Sequence, residues 1–120
     1  MQSDKRPANK DLVIVQKTTN TFQLQFLYKG SGEDISSFTV YFIVKTNFAD
    51  ADSAAQIYKK VTSHYDTAAG KSRIDLSATD TNITPGQYRY EISYTDADGN
   101  SEVVFNGRFL VRKALLQTRT

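Results

Sequence analysis

Residues 88–111 constrain the fold more than any other stretch. Tyr88, Tyr90, Ile92 and Tyr94 alternate with Arg89, Glu91 and Ser93; Asp96-Ala97-Asp98-Gly99 follows, and a second run returns over Glu102–Val111. A period of two sends successive side chains to opposite sides of an extended chain. An Asp-Gly pair between two such runs marks a hairpin, because glycine supplies the positive φ that primed turns require. Asp98 and Gly99 are therefore the expected turn residues. Gly107 inside the return run signals a bulge.

The same period recurs upstream. Leu12–Lys17 reads as a first strand. Thr21–Lys29 places Phe22, Leu24, Phe26 and Tyr28 on one face and Gln23, Gln25 and Leu27 on the other, until Gly30-Ser31-Gly32 breaks it. Ser37–Thr46 is the most apolar run, with Phe38, Val40, Phe42 and Val44 on one face and Tyr41 and Ile43 on the other. Such a strand is buried on both sides or covered by another chain. Asn47–Ala55 is a polar loop with room for one helical turn, and Ile57–Val61 and Ser72–Leu76 flank a turn at Asp66–Gly70. No window sustains helical i, i+3, i+4 spacing over the roughly ten residues a helix needs. Composition agrees: 13 Thr, 8 Val, 7 Ile, 7 Tyr and 7 Phe stand against 7 Leu and 1 Met in 120 residues. β-branched and aromatic side chains suit a pleated surface. About seven short strands spaced by turns make an all-β chain, an antiparallel β-sandwich spanning residues 12–112. A polar arm, residues 1–11, precedes it and a basic tail, residues 113–120, follows.

Asp80-Thr-Asn-Ile-Thr-Pro85-Gly86-Gln-Tyr88 sharpens the class to an immunoglobulin-like sandwich. A turn containing Pro85 and Gly86 runs directly into a Tyr-led strand. This is the pattern of a tyrosine corner, in which the ring of Tyr88 is buried and its hydroxyl bonds backbone a few residues upstream.

The chain carries little that could do chemistry. With no cysteine, it has no thiol nucleophile, disulfide or thiolate metal site. His64 is the sole histidine. Its neighbours Ser63 and Asp66 do not form a ready triad, since adjacent residues on a strand diverge; His64→Ala is expected to leave every property intact. Asp50/Asp52 and Asp96/Asp98 are acidic pairs, but a calcium loop begun at Asp96 would need a bidentate Glu where Gly107 stands. Gly30-Ser31-Gly32 and Gly70-Lys71-Ser72 lack the remaining glycines of a phosphate loop. The sequence thus points to no enzyme, no metal and no cofactor. Charge is segregated: residues 1–10 carry a net +2 and residues 112–120 a net +3, leaving −3 on residues 11–111 out of a total of +2. A nucleic-acid-binding domain carries its basic stripe on the folded body, so this distribution argues against that partner. No run approaches the roughly 18 apolar residues of a membrane span, and no apolar segment of a signal peptide follows the first basic residues. Leu115 and Leu116, apolar in an otherwise polar tail, are candidate partner-docking residues.

The succession Gly70-Lys71-x-x-Ile74-x-Leu76, Asp80-Thr81, Pro85-Gly86-x-Tyr88-x-Tyr90-x-Ile92, Asp96-x-Asp98-Gly99 and Gly107-x-Phe109-x-Val111, with Phe38-Thr-Val40-Tyr-Phe42 before it, resembles the N-terminal domain of phage baseplate upper proteins and related virion structural proteins. The resemblance covers residues 12–112. It implies a non-enzymatic structural module that joins other virion proteins in a symmetric assembly, placed in the virion after assembly in the host cytoplasm. The chain ends soon after the domain, which leads to the expectation of a small connector, a tail component or a capsid decoration rather than a large baseplate protein. The two terminal segments are expected to gain order in the assembly. The alternative is an adhesion or carbohydrate-binding Ig-like domain that contacts a host surface through exposed tyrosines (Tyr41, Tyr90, Tyr94) and the Asn47–Ala55 loop.

Overall fold

The computed structural model describes residues 8–28 and 30–116, the side chain of Tyr28 excepted. The strands are β1 (Ala8–Asn9), β2 (Leu12–Val15), β3 (Asn20–Gln25), β4 (Leu27–Tyr28), β5 (Ser31–Gly32), β6 (Thr39–Lys45), β7 (Ile57–Val61), β8 (Lys71–Leu76), β9 (Gly86–Thr95) and β10 (Ser101–Arg112). The large sheet runs β1-β10-β9-β6-β7, with β2 also on the β10 edge beyond β1. Both β1 and β2 lie parallel to β10, whereas β10, β9, β6 and β7 are mutually antiparallel. Facing it are the antiparallel pair β3-β8 and the small hairpin β4-β5. The chain is an all-β, immunoglobulin-like sandwich.

Alternation explains which side of each strand meets the other sheet. Val40, Phe42 and Val44 of β6, Tyr88, Tyr90, Ile92 and Tyr94 of β9, and Phe109 and Val111 of β10 are buried against Leu24, Ile74 and Leu76. Aromatic rings fill the centre in two groups. Phe38 stacks on Tyr94 with centroids 4.8 Å apart, and Phe26 meets both edge-on; Phe42, Tyr90 and Phe109 form the second group. Edge-to-face and offset contacts of this kind add to the burial of the rings themselves.

The run Thr21–Lys29 is not one strand. At Phe26 the chain leaves β3: its N–H donates to the Gly70 carbonyl at 2.7 Å, its carbonyl accepts from Glu33 N–H at 3.0 Å, and Leu27 pairs with Gly32 around Gly30 at φ 83°. Gly107 is not the bulge either. The register shift falls between Val103 and Phe105. A Cβ on Gly107 would collide with the Lys10 carbonyl, where the chain passes from β1 to β2. A glycine within a strand marks either a bulge or a close backbone approach, and here the approach requires it. The sheet begins before residue 12, with β1, and packing continues past its last strand residue, Arg112. Ala8 and Asn9 pair with Phe105 and Asn106, and Ala114 is buried with its N–H on Gln16 Oε1 at 3.2 Å. Residues 1–7 and 117–120 of the arm and tail lie outside the described residues.

Candidate functional site

Strand β9 carries three buried tyrosines whose hydroxyls each tie down a different part of the chain. Tyr88 donates to the Thr84 carbonyl across the turn holding Pro85 and Gly86. Tyr90 donates to the Lys10 carbonyl at 2.5 Å, 80 residues away, and Tyr94 to Glu102 Oε2 at 2.9 Å. Burial pushes all three hydroxyls above the ordinary tyrosine range, and for Tyr94 the Glu102 carboxylate adds to it. Tyr90 and Tyr94 face the core, so neither can stack on a ligand.

The β9–β10 hairpin turns at Asp96–Asn100. The Gly99 N–H reaches the Asp96 carbonyl at 3.2 Å, and Gly99 sits at φ 84° while Asp98 does not enter the positive region. A two-residue primed turn needs at least its first central residue there; this is a longer loop closed by glycine in the left-handed position. Asp96 Oδ1 accepts the N–H groups of Asp98 and Asn100, each at 3.0 Å. Desolvation would raise the Asp96 pKa, but these N–H groups hold it below the usual carboxylate range. The Asp50/Asp52 pair is likewise committed: Asp52 Oδ1 and the Asp50 carbonyl both accept from Lys45 Nζ at 2.8 Å, and Asp50 Oδ2 from Asn47 N–H at 3.0 Å. No group of three metal-ligating side chains occurs among the described residues.

His64 meets neither Ser63 nor Asp66. Its Nδ1 lies 2.7 Å from Ser72 Oγ and its Nε2 2.8 Å from the Phe38 carbonyl. A carbonyl can only accept, so Nε2 carries a proton, and on the neutral ring Nδ1 takes the bond from the serine hydroxyl. This resembles a nucleophile–base pair in distance alone, because Ser72 is fully buried and no substrate can reach it. The pairing was not legible in the sequence, since it joins residues on different elements. Gln16 and Thr81, two more buried polar side chains, were missed for the same reason. Thr81 Oγ1 accepts the Thr18 N–H and donates to the Thr18 carbonyl, and Gln16 Nε2 donates to the Ile83 carbonyl.

What remains outside is a face of charged and aromatic side chains. On the outer face of the large sheet, Lys45, Arg89 and Arg108 stand directly opposite one another across β6, β9 and β10. Such a row repels itself unless neutralised. Asp52 pairs with Lys45 at 2.8 Å, Asp11 with Arg108 at 2.6 Å, and Arg89 lies over the exposed ring of Phe48 at 5.1 Å. The hydrogen bond from Arg108 holds the Asp11 carboxyl below its ordinary range. In the next row, Ile43 is flanked by exposed Tyr58 and by Glu91. Leu115 is fully exposed just past the buried Ala114.

The fold is shared with a phage domain. The N-terminal domain of phage TP901-1 ORF48 is similar to this chain with a TM-score of 0.55 at 13% identity, over 90% of this chain and 91% of that one. Weaker likeness extends to two structures of voltage-gated sodium channel β subunits. The first, from a photo-crosslinking study of multimeric cell-adhesive interactions, has a TM-score of 0.39 at 10% identity over 95% and 98% of the chains. The second, a parallel homodimer of β4 extracellular domains, has a TM-score of 0.40 at 14% identity over 96% and 100%. No protein-family model matches the sequence, and no curated protein matches it.

Proposed function

We propose that this chain is a non-enzymatic structural protein of a phage virion, an Ig-like connector or assembly module in the tail, baseplate or capsid. The observation that carries the reading is the sandwich held in common with a phage protein's N-terminal domain over nearly the full length of both chains. The motif succession from Gly70 to Val111 supports it independently of the coordinates. The chemistry of the surface agrees: the only histidine, Asp96 and the Asp50/Asp52 pair are used in holding loops and core together, while exposed apolar and cationic groups face outward. No helix among the described residues is long and apolar enough to cross a membrane. Fold by itself leaves function open, so the partner is the test. The purified chain should capture other virion proteins from a phage-infected lysate, with Leu115 and Leu116 contributing; Leu115→Asp/Leu116→Asp should weaken capture without changing the fold. Capture of nothing from the virion would contradict the proposal.

A second reading, adhesion or carbohydrate binding at a host surface, draws on Phe48 and Tyr58, two exposed rings that border Ile43 on one face. Binding on a glycan array that Phe48→Ala and Tyr58→Ala abolish would establish it in place of the structural role.

A further inference from the structure

Charge on an edge strand is one way in which proteins keep sheets from pairing with strangers. β7 carries Lys59 and Lys60, and β8 carries Lys71, Arg73 and Asp75. β3 is different. Asn20-Thr-Phe-Gln-Leu-Gln25 has no ionisable side chain, no proline and no bulge, and its one strand partner among the described residues is β8.

The ladder shows which backbone groups are left over. Phe26 N–H donates to the Gly70 carbonyl in the same register as the β3–β8 pairs, so the even-numbered residues of β3 bond to β8. By alternation the N–H and C=O groups of Thr21, Gln23 and Gln25 point away from it. Beside that edge the two sheets part. A groove of about 200 Å³ opens there, lined by Leu12, Phe22, Leu24, Ile92 and Phe105 together with Lys10 and with Thr21 and Gln23 of β3 itself. On the opposite bank β2 is itself uncharged, and Lys10 stands just before it. A partly apolar seam beside an uncharged strand edge is open to a further strand.

We infer that β3 pairs antiparallel with β3 of a second copy about a two-fold axis through Gln23, joining the two small sheets into one. Charge selects the occupant. A two-fold contact sets each residue against its own kind or its mirror position, and a lysine edge such as β7 would repel itself, whereas Thr21, Gln23 and Gln25 meet their copies without cost. Register follows from the same geometry. With Gln23 opposite Gln23 and Thr21 opposite Gln25, every outward amide of β3 enters a bond; a shift by two residues leaves some unpaired. The inference stands on the edge and the groove alone, and does not depend on a place in a virion.

The absence of cysteine makes the test direct. Opposed residues of a hydrogen-bonded antiparallel pair have Cα atoms about 5.5 Å apart, within the roughly 4.4–6.8 Å a disulfide spans. Under mild oxidation Gln23→Cys should form disulfide-linked dimers. Thr21→Cys alone should not, and the double variant Thr21→Cys/Gln25→Cys should. Sedimentation of the unmodified chain should show a dimer, and Gln23→Lys should weaken it at least about tenfold with an unchanged circular dichroism spectrum. A chain that stays monomeric at millimolar concentration would overturn the inference. So would a dimer in which Gln23→Cys fails to cross-link, or one in which Thr21→Cys links as readily.

Discussion

Single side chains here hold turns and strands together. Tyr88 anchors the turn before β9 by bonding the Thr84 carbonyl. We propose that this bond is the tyrosine corner of the fold. Tyr88→Phe should then lower unfolding free energy in urea by about 1–2 kcal/mol, since the acceptor is stranded when the hydroxyl goes; a loss below about 0.3 kcal/mol would contradict that role. His64 makes a sharper case. The sequence offers a lone histidine next to a serine and an aspartate, and from that alone its removal is expected to be silent. Instead the ring bridges fully buried Ser72 and the Phe38 carbonyl. His64→Ala should cost about 2 kcal/mol, because it leaves a buried hydroxyl and a carbonyl without partners. Denaturant titration decides it, and a midpoint within error of the parent would remove His64 from the packing account.

The strands were legible because alternation is a local property, and what crosses between strands was not. β6, β8, β9 and β10 follow from their own patterns of apolar and polar residues. Gly107 was misread for an instructive reason. A bulge and a close approach leave the same mark in one strand, and which of them holds depends on Lys10, distant in the chain. Gly107→Ala should therefore destabilise by more than about 2 kcal/mol and loosen β1, seen as faster hydrogen exchange at Lys10, whose N–H bonds the Asn106 carbonyl. Retained protection there would contradict the collision.

Strand β9 also predicts the alkaline limit of the fold. Burial raises the pKa of Tyr88, Tyr90 and Tyr94 from the ordinary 10.0. As pH climbs, the unfolded chain ionises first. The stability these hydroxyls contribute is complete below about pH 10 and is lost as pH rises beyond it. The unfolding midpoint should be level up to about pH 9.5 and fall steeply above it; replacing Tyr94 by Phe should flatten that fall. A midpoint that stays level through about pH 11 would contradict the burial of the three hydroxyls.

At the scale of the whole molecule, the exposed groups explain more than the buried ones. The sandwich leaves one face with a cationic row and two exposed rings, one seam beside the uncharged edge of β3, and a leucine projecting beyond Ala114. Charge segregation was readable from the sequence. The seam was not, because it exists only once β2 follows β10 and the edge of β3 away from β8 is left without a strand partner among the described residues. A rigid body with several such surfaces is suited to repeated contacts in a symmetric assembly. Quantitative peptide mass spectrometry of purified phage particles from the source of this sequence tests that account most directly. It should find the chain in the particle, at a small multiple of six or twelve copies for a tail or baseplate component and at hundreds for a capsid decoration. Particles that lack the chain altogether would contradict the virion assignment and leave only the sandwich.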